Sequence, residues 1–230
     1  MKKRPVVIGI SSVQQKGTFQ NLDEALIMMD RAVKEAVEDT GNESIKNFID
    51  EIRIPKGFWK YRDPGKWIAK NNKFKKNPKT FVTKIGILQQ SLINDACTQI
   101  EQGEIDASII LGGEARYKKL RSVIENRIFE ETELTDNPDF YLKATADLYG
   151  DEELQELGAM AVGYYGVIET AFRNFAEESI RDHKSNIAKM YEKFSQIASE
   201  NKSAWLDKPY SAEEISTSSK KNKMISYPYN

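Results

Sequence analysis

Apolar positions recur along this chain with two different periods, and each change of period marks an element. The pattern predicts a strand at 80–84 carrying Phe81 and Val82, a tight turn at Gly86 and a helix over 88–102. A second strand follows at 107–111 and ends at Gly112-Gly113-Glu114. The helix places Leu88, Leu92, Ile93, Ala96, Cys97 and Ile100 on one face of a 3.6-residue repeat. The run Ala107-Ser108-Ile109-Ile110-Leu111 is apolar enough for a strand covered on both faces. Strand, helix and parallel strand make a βαβ unit, and such units put reactive groups where the strand meets the helix, here residues 86–90.

Around this unit the same reading continues. Residues 6–10, Val-Val-Ile-Gly-Ile, predict a first, buried strand. Leu22, Ala25, Leu26, Met29, Ala32, Val33, Ala36 and Val37 keep to one helical stripe, with Asn21 or Asp23 as cap and Gly41 as stop. Glu51-Ile52-Arg53-Ile54 reads as a second strand ended by Pro55, and Pro64 opens a helix after the aromatic segment Phe58 to Asp63. The four lysines 73, 75, 76 and 79 around Asn77-Pro78 read as a solvated loop, with a phosphate-attracting patch as the alternative. Residues 115–127 predict a charged helix and 130–138 an acidic loop. From 153 to 205 the pattern is helical, on Leu157, Met160, Ala161, Tyr164 and Ile168 and then on Ile187, Met190, Tyr191, Phe194, Ile197 and Ala198.

Composition narrows the functional classes. With 40% hydrophobic and 30% charged residues, 230 residues can bury a core, and a net charge of −1 lacks the basic excess of a nucleic-acid binder. The single cysteine, Cys97, excludes an intrachain disulfide and a thiolate zinc site, so no metal centre is expected and a reducing compartment fits. The start, Met1-Lys2-Lys3-Arg4-Pro5, precedes only about six apolar residues, too few for a signal core or a membrane span, and the expectation is a cytoplasmic protein without a membrane partner. Gly112-Gly113 lacks the Gly-x-Gly-x-x-Gly spacing of a dinucleotide site and reads as a close turn past a neighbour.

Several motifs, taken in order, carry a resemblance. They are Trp59-Lys60-Tyr61-Arg62-Asp63-Pro64; Gly86 through Gln90-Ser91-Leu92-Ile93-Asn94; Gly103-Glu104-Ile105-Asp106 with Gly112-Gly113-Glu114-Ala115; Tyr165-Gly166-Val167-Ile168-Glu169; His183 through Trp205; and the final Met224-Ile225-Ser226-Tyr227-Pro228-Tyr229. Together they resemble the N-terminal half of a thiolase, specifically the sterol-carrier-protein-type thiolase-like proteins of the acetyl-CoA acetyltransferase family. The resemblance implies an α/β fold, a mostly parallel sheet with covering helices over residues 1–123, and a helical loop-domain insertion with a truncated exit segment over 124–230. It implies acyltransferase chemistry of lipid metabolism on acyl-CoA, no covalently bound cofactor, and coenzyme A or acyl-CoA as the ligand. It also implies a partner, a C-terminal thiolase half or thiolase-like subunit, in a homo- or hetero-oligomer.

In that family the nucleophile is a cysteine at the N-terminus of the buried helix of the first half, and a His and a second Cys from the second half act as base and acid. Here the nucleophile position falls on Gly86, and no thiol stands there. Cys97 lies about 16 Å further along the helix axis and reads as a small thiol in the apolar stripe. Ser91 has no neighbouring base, so no catalytic residue is assigned. The substrate-binding candidates are Gly86, Ile87, Leu88 and Gln89, whose N–H groups at a helix start can hold a thioester oxygen, and His183. His183 reads as a surface or capping histidine, with a CoA-phosphate contact as the alternative. Three functions follow: a half-length or split subunit of an acyl-CoA-handling protein, inactive alone; a non-catalytic CoA or acyl-CoA binding module; or a protein-interaction module that keeps only the fold. The helix side carrying Gln90, Ser91, Asn94, Asp95, Thr98 and Glu101 is polar, and is expected to meet a polar partner face or water.

Overall fold

A computed structural model describes residues 3–84, 89–144, 150–158, 161–220 and 222. The described chain divides into two compact units that separate at 146/147.

The first unit is a mixed α/β layer. Four parallel strands, β1 (Ile49–Ile54), β2 (Lys79–Thr83), β3 (Ala107–Ile110) and β4 (Phe140–Leu142), form one sheet in the order β3-β1-β2-β4. The helices of this unit are α1 (Ala25–Asp39), α2 (Pro64–Asn71), α3 (Gln89–Gln102) and α4 (Arg116–Ile124). Alternation along β1 divides the work between the two sheet faces. Ile52 and Ile54 point to the face covered by α1 and α2, where they meet Leu26, Met29, Val33 and Ile68 in the main core. Glu51 and Arg53 point to the opposite face, the α3 side.

Local signals place the helices. Asp63 caps α2 by accepting from the N–H groups of Gly65 and Lys66, at 2.9 and 3.2 Å, and Pro64 fills the first helical position where its missing donor costs nothing. Gly103 takes φ +79° just past α3, a left-handed stop that suits glycine. The stripe expected from residue 22 becomes helical only at Ala25. The residue at the cap is Glu24, whose carboxylate is instead drawn to Tyr61 Oη (2.8 Å) and to Thr132, leaving the helix without a side-chain cap.

Three expectations change. Residues 6–10 do not form a buried strand: the segment joins no sheet, and Val7 is 80% exposed. It is held by contacts to α1 rather than by strand pairing. Ser11 Oγ donates to Ala32 O at 2.7 Å, and Ile10 N donates to Asp39 Oδ2 at 2.9 Å. Second, β3 is half-buried rather than covered on both faces, because it lies at the edge of the sheet; β1, not β2, is its neighbour. Third, the sheet unit extends past residue 123, since β4 closes the other edge and its Phe140 stacks on Phe81 at 4.6 Å. Asp139, just before β4, anchors this edge by accepting from Thr80 N (2.9 Å) and Lys66 Nζ (3.0 Å).

The second unit is helical: α5 (Asp151–Leu157), α6 (Ala161–Phe175), α7 (Ile180–Glu200) and α8 (Ala212–Ser216). Ser195 on α7 ties the chain leading into α8 by bonding Tyr210 O (3.1 Å) and Tyr210 N (2.9 Å). Val167, Ile168, Phe172 and Phe175 of α6 are exposed.

Candidate functional site

Open parallel sheets take ligands outside the carboxyl ends of their strands, where successive connections turn to opposite sides. In this sheet β1 connects through α2 to β2 on one side, and β2 then crosses through α3 to β3 on the other. The carboxyl ends of β1 and β3, neighbours in the sheet, lie beside each other. Lys56, Trp59 and Glu114 gather there. Trp59 Nε1 donates to Gly113 O at 3.0 Å, and Glu114 accepts from Phe58 N at 2.6 Å, so the aromatic segment bridges the two strand ends. Lys56 Nζ lies 4.1 Å from the Trp59 ring centroid and donates to Tyr61 O at 3.1 Å. Burial lowers the Lys56 ammonium from its usual range, against the opposing pull of Glu131 and Glu114.

On the α3 side lies a buried charge network. Arg53 is fully buried; its Nε and one terminal nitrogen donate to Glu51 Oε2 at 3.0 and 2.6 Å, and its other terminal nitrogen donates to Asp95 of α3. The guanidinium also lies 4.4 Å from the Phe81 ring centroid. Ser108 neighbours Glu51 in the register, and its buried hydroxyl makes no hydrogen bond. Under α3 only Leu92 and Ala96 are buried, while Gln90, Ser91, Ile93, Asn94, Asp95, Thr98 and Glu101 are exposed.

A solved structure decides the family of shapes. The crystal structure of a monomeric SCP2-thiolase like protein type 1 from Mycobacterium smegmatis matches this chain with a TM-score of 0.66 at 19% identity, over 94% of this chain and 40% of that one. The fold is thiolase-like. The chain spans about two fifths of that protein's length. No protein-family model and no curated protein matches it.

Within this thiolase-like chain, Gly86, Ile87 and Leu88 lie outside the described residues, as does the terminal motif 224–229. Gln89 opens α3 with an exposed side chain in the first unit. Cys97 is half-buried, and Ser91 is exposed. Neither is hydrogen-bonded to a histidine; the single histidine belongs to the second unit. His183 is not a surface residue. It is buried at 8% exposure, with Nδ1 2.6 Å from Glu178 Oε2 and Nε2 2.8 Å from Glu169 Oε2. The hydrogen bond to Glu178, with that to Glu169, raises its pKa above the ordinary value of 6.5, although burial opposes this. With both nitrogens engaged by carboxylates, His183 offers no free donor to a CoA phosphate, and an anion brought there would meet two negative charges. In the lysine loop Lys76 is likewise engaged, its Nζ 2.6 Å from Asp50 and 3.6 Å from Asp106.

Among the described residues no group of three or more His, Cys, Asp or Glu could hold a metal ion, and no helix is long and apolar enough to cross a membrane. The residues that sequence reasoning missed are Lys56 and the Glu51–Arg53–Asp95 network. A signal for the latter was present in Glu51-Ile52-Arg53-Ile54, where two opposite charges share one face of an otherwise apolar strand.

Proposed function

We propose that this chain is one lobe of a thiolase-like, acyl-CoA-handling protein of the acetyl-CoA acetyltransferase type, completed by a second thiolase-like lobe and without thiolase activity alone. The observation that carries this reading is the uncovered outer side of α3. Six polar side chains of α3, from Gln90 to Glu101, are exposed, and the sheet face beneath carries the buried charges of Glu51 and Arg53 among Phe81, Ile110 and Phe140. A helix so placed needs no partner to hide apolar surface, yet it presents hydrogen-bonding groups that a polar lobe can match. The free edge of β3 and the exposed Val6, Val7, Ile8 and Ile10 add uncovered surface in the same unit. By the resemblance, the nucleophile position falls on Gly86, which carries no thiol to take the acyl group, and the acid and base would come from the second lobe. A non-catalytic CoA or acyl-CoA binding module is the second reading. It is favoured because, among the described residues, neither Cys97 nor Ser91 has a base within hydrogen-bonding distance.

Isothermal titration with CoA and acetyl-CoA, on the chain alone and mixed with a thiolase-like second lobe, separates the two. Heat only in the mixture supports the split protein, and heat with the chain alone supports the binding module. No heat in either case ends both. Acetoacetyl-CoA thiolysis by the isolated chain would overturn the claim that it is inactive alone.

A further inference from the structure

The turn between α6 and α7 holds a cluster that the function above does not use. His183 stands in the first turn of α7, its N–H bonded to Ser179 O at 2.9 Å, where the positive end of the helix disfavours an imidazolium. Its ring nevertheless sits between two carboxylates from different segments, Glu169 of α6 and Glu178 of the turn. A carboxylate only accepts, so both contacts are hydrogen bonds only when both ring nitrogens carry a proton. The Phe172 ring, centred 6.3 Å away, lies against the imidazole.

We propose that His183 is a proton-operated clasp, which fastens α6 to the start of α7 while the imidazole is doubly protonated and releases the Glu169 side when one proton leaves. The two sides are not equivalent. Glu178 is held independently, because Asn186 Nδ2 donates to its Oε1 at 2.8 Å and Arg173 of α6 donates to its backbone carbonyl at 3.0 Å. Glu169 is half-exposed and can turn into water. The neutral ring keeps its one N–H for the shorter bond to Glu178 and presents a lone pair to Glu169, so that contact becomes repulsive. The other charges facing the cluster are Arg173, which donates to Glu178 O, and Asp182, which is bonded to Ser179 and opposes Glu178.

The direction of pH dependence follows. The folded-state pKa is raised, so the stabilisation is complete below the unfolded value near 6.5 and is lost as pH rises through the folded value. The α6–α7 hairpin is thus tight in mildly acidic solution and looser in mildly alkaline solution.

Because this is the single histidine among 230 residues, the untagged full chain gives one imidazole Cε1–H signal by NMR. The expected midpoint lies above 6.5, and Glu169→Gln, which preserves shape, moves it down. Amide exchange at the end of α6 and the start of α7, corrected for intrinsic rate, rises about tenfold across the midpoint, the size of one charge-assisted hydrogen bond. In Glu169→Gln that rise is absent. A midpoint at or below 6.5, a midpoint unmoved by Glu169→Gln, or protection constant across the titration would each overturn the clasp.

Discussion

Arg53→Met tests whether the charge network under α3 holds the sheet unit together. The guanidinium is fully buried and supplies two hydrogen bonds to Glu51, whose side chain is 3% exposed, and one to Asp95. Methionine fills a similar volume, so the cavity term is small and the electrostatic term dominates. Asp95 is half-exposed and can rehydrate. Glu51 cannot, and the unpartnered Ser108 hydroxyl beside it is a neutral substitute at most. Removing one partner of a buried pair costs ~3 to 5 kcal/mol, and losing the contact with Phe81 adds ~1 kcal/mol. A loss of ~4 kcal/mol is a large share of the 5–15 kcal/mol typical of a domain. With a urea slope of ~2 kcal/mol/M, the unfolding midpoint falls by about 2 M. The double variant Arg53→Met with Glu51→Leu removes both charges and recovers most of the loss, because no buried ion remains uncompensated. Urea unfolding followed by tryptophan fluorescence in a Trp205→Phe background reads the first unit alone, through Trp59 and Trp67. A loss below about 1 kcal/mol for Arg53→Met, or a double variant less stable than the single one, refutes the reasoning.

Two further outcomes are expected. Gly9→Ala places a methyl against the Ala36 carbonyl oxygen and 2.8 Å from Thr40 Cγ2, so residues 3–11 lift from α1; limited proteolysis then cuts that segment faster, while α1 to β3 stay intact. Asp139 is the acid-sensitive anchor of β4. Desolvation works to raise its pKa, but hydrogen bonds from Thr80 and Lys66 prevail and lower it. Its contribution is therefore present above the unfolded value near 3.9 and lost as pH falls through the lower folded value. Amide exchange in residues 140–142 should increase selectively at acid pH, and Asp139→Asn should abolish that dependence.

Local signals determined most of the elements. The 3.6-residue stripes located α1, α3 and α7 because amphipathic spacing reflects which face a helix buries. Asp63 before Pro64 located α2 because cap and proline act within one turn. The ordered motifs, from Trp59 through to Tyr229, carry a resemblance to thiolase-like proteins, and the fold is thiolase-like. Pairing was a different matter. Residues 6–10 and 107–111 have the same apolar character, yet one remains outside the sheet and the other is its edge, since strand pairing depends on which backbone lies alongside and not on local composition. Phe140-Tyr141-Leu142 became a strand only because the edge of β2 and the anchors at Thr80 and Lys66 lay beside it. His183 carries the same lesson. In the sequence it is an isolated histidine after Arg181-Asp182, and only the turn between α6 and α7 brings Glu169, fourteen residues away, and Glu178 to opposite sides of its ring.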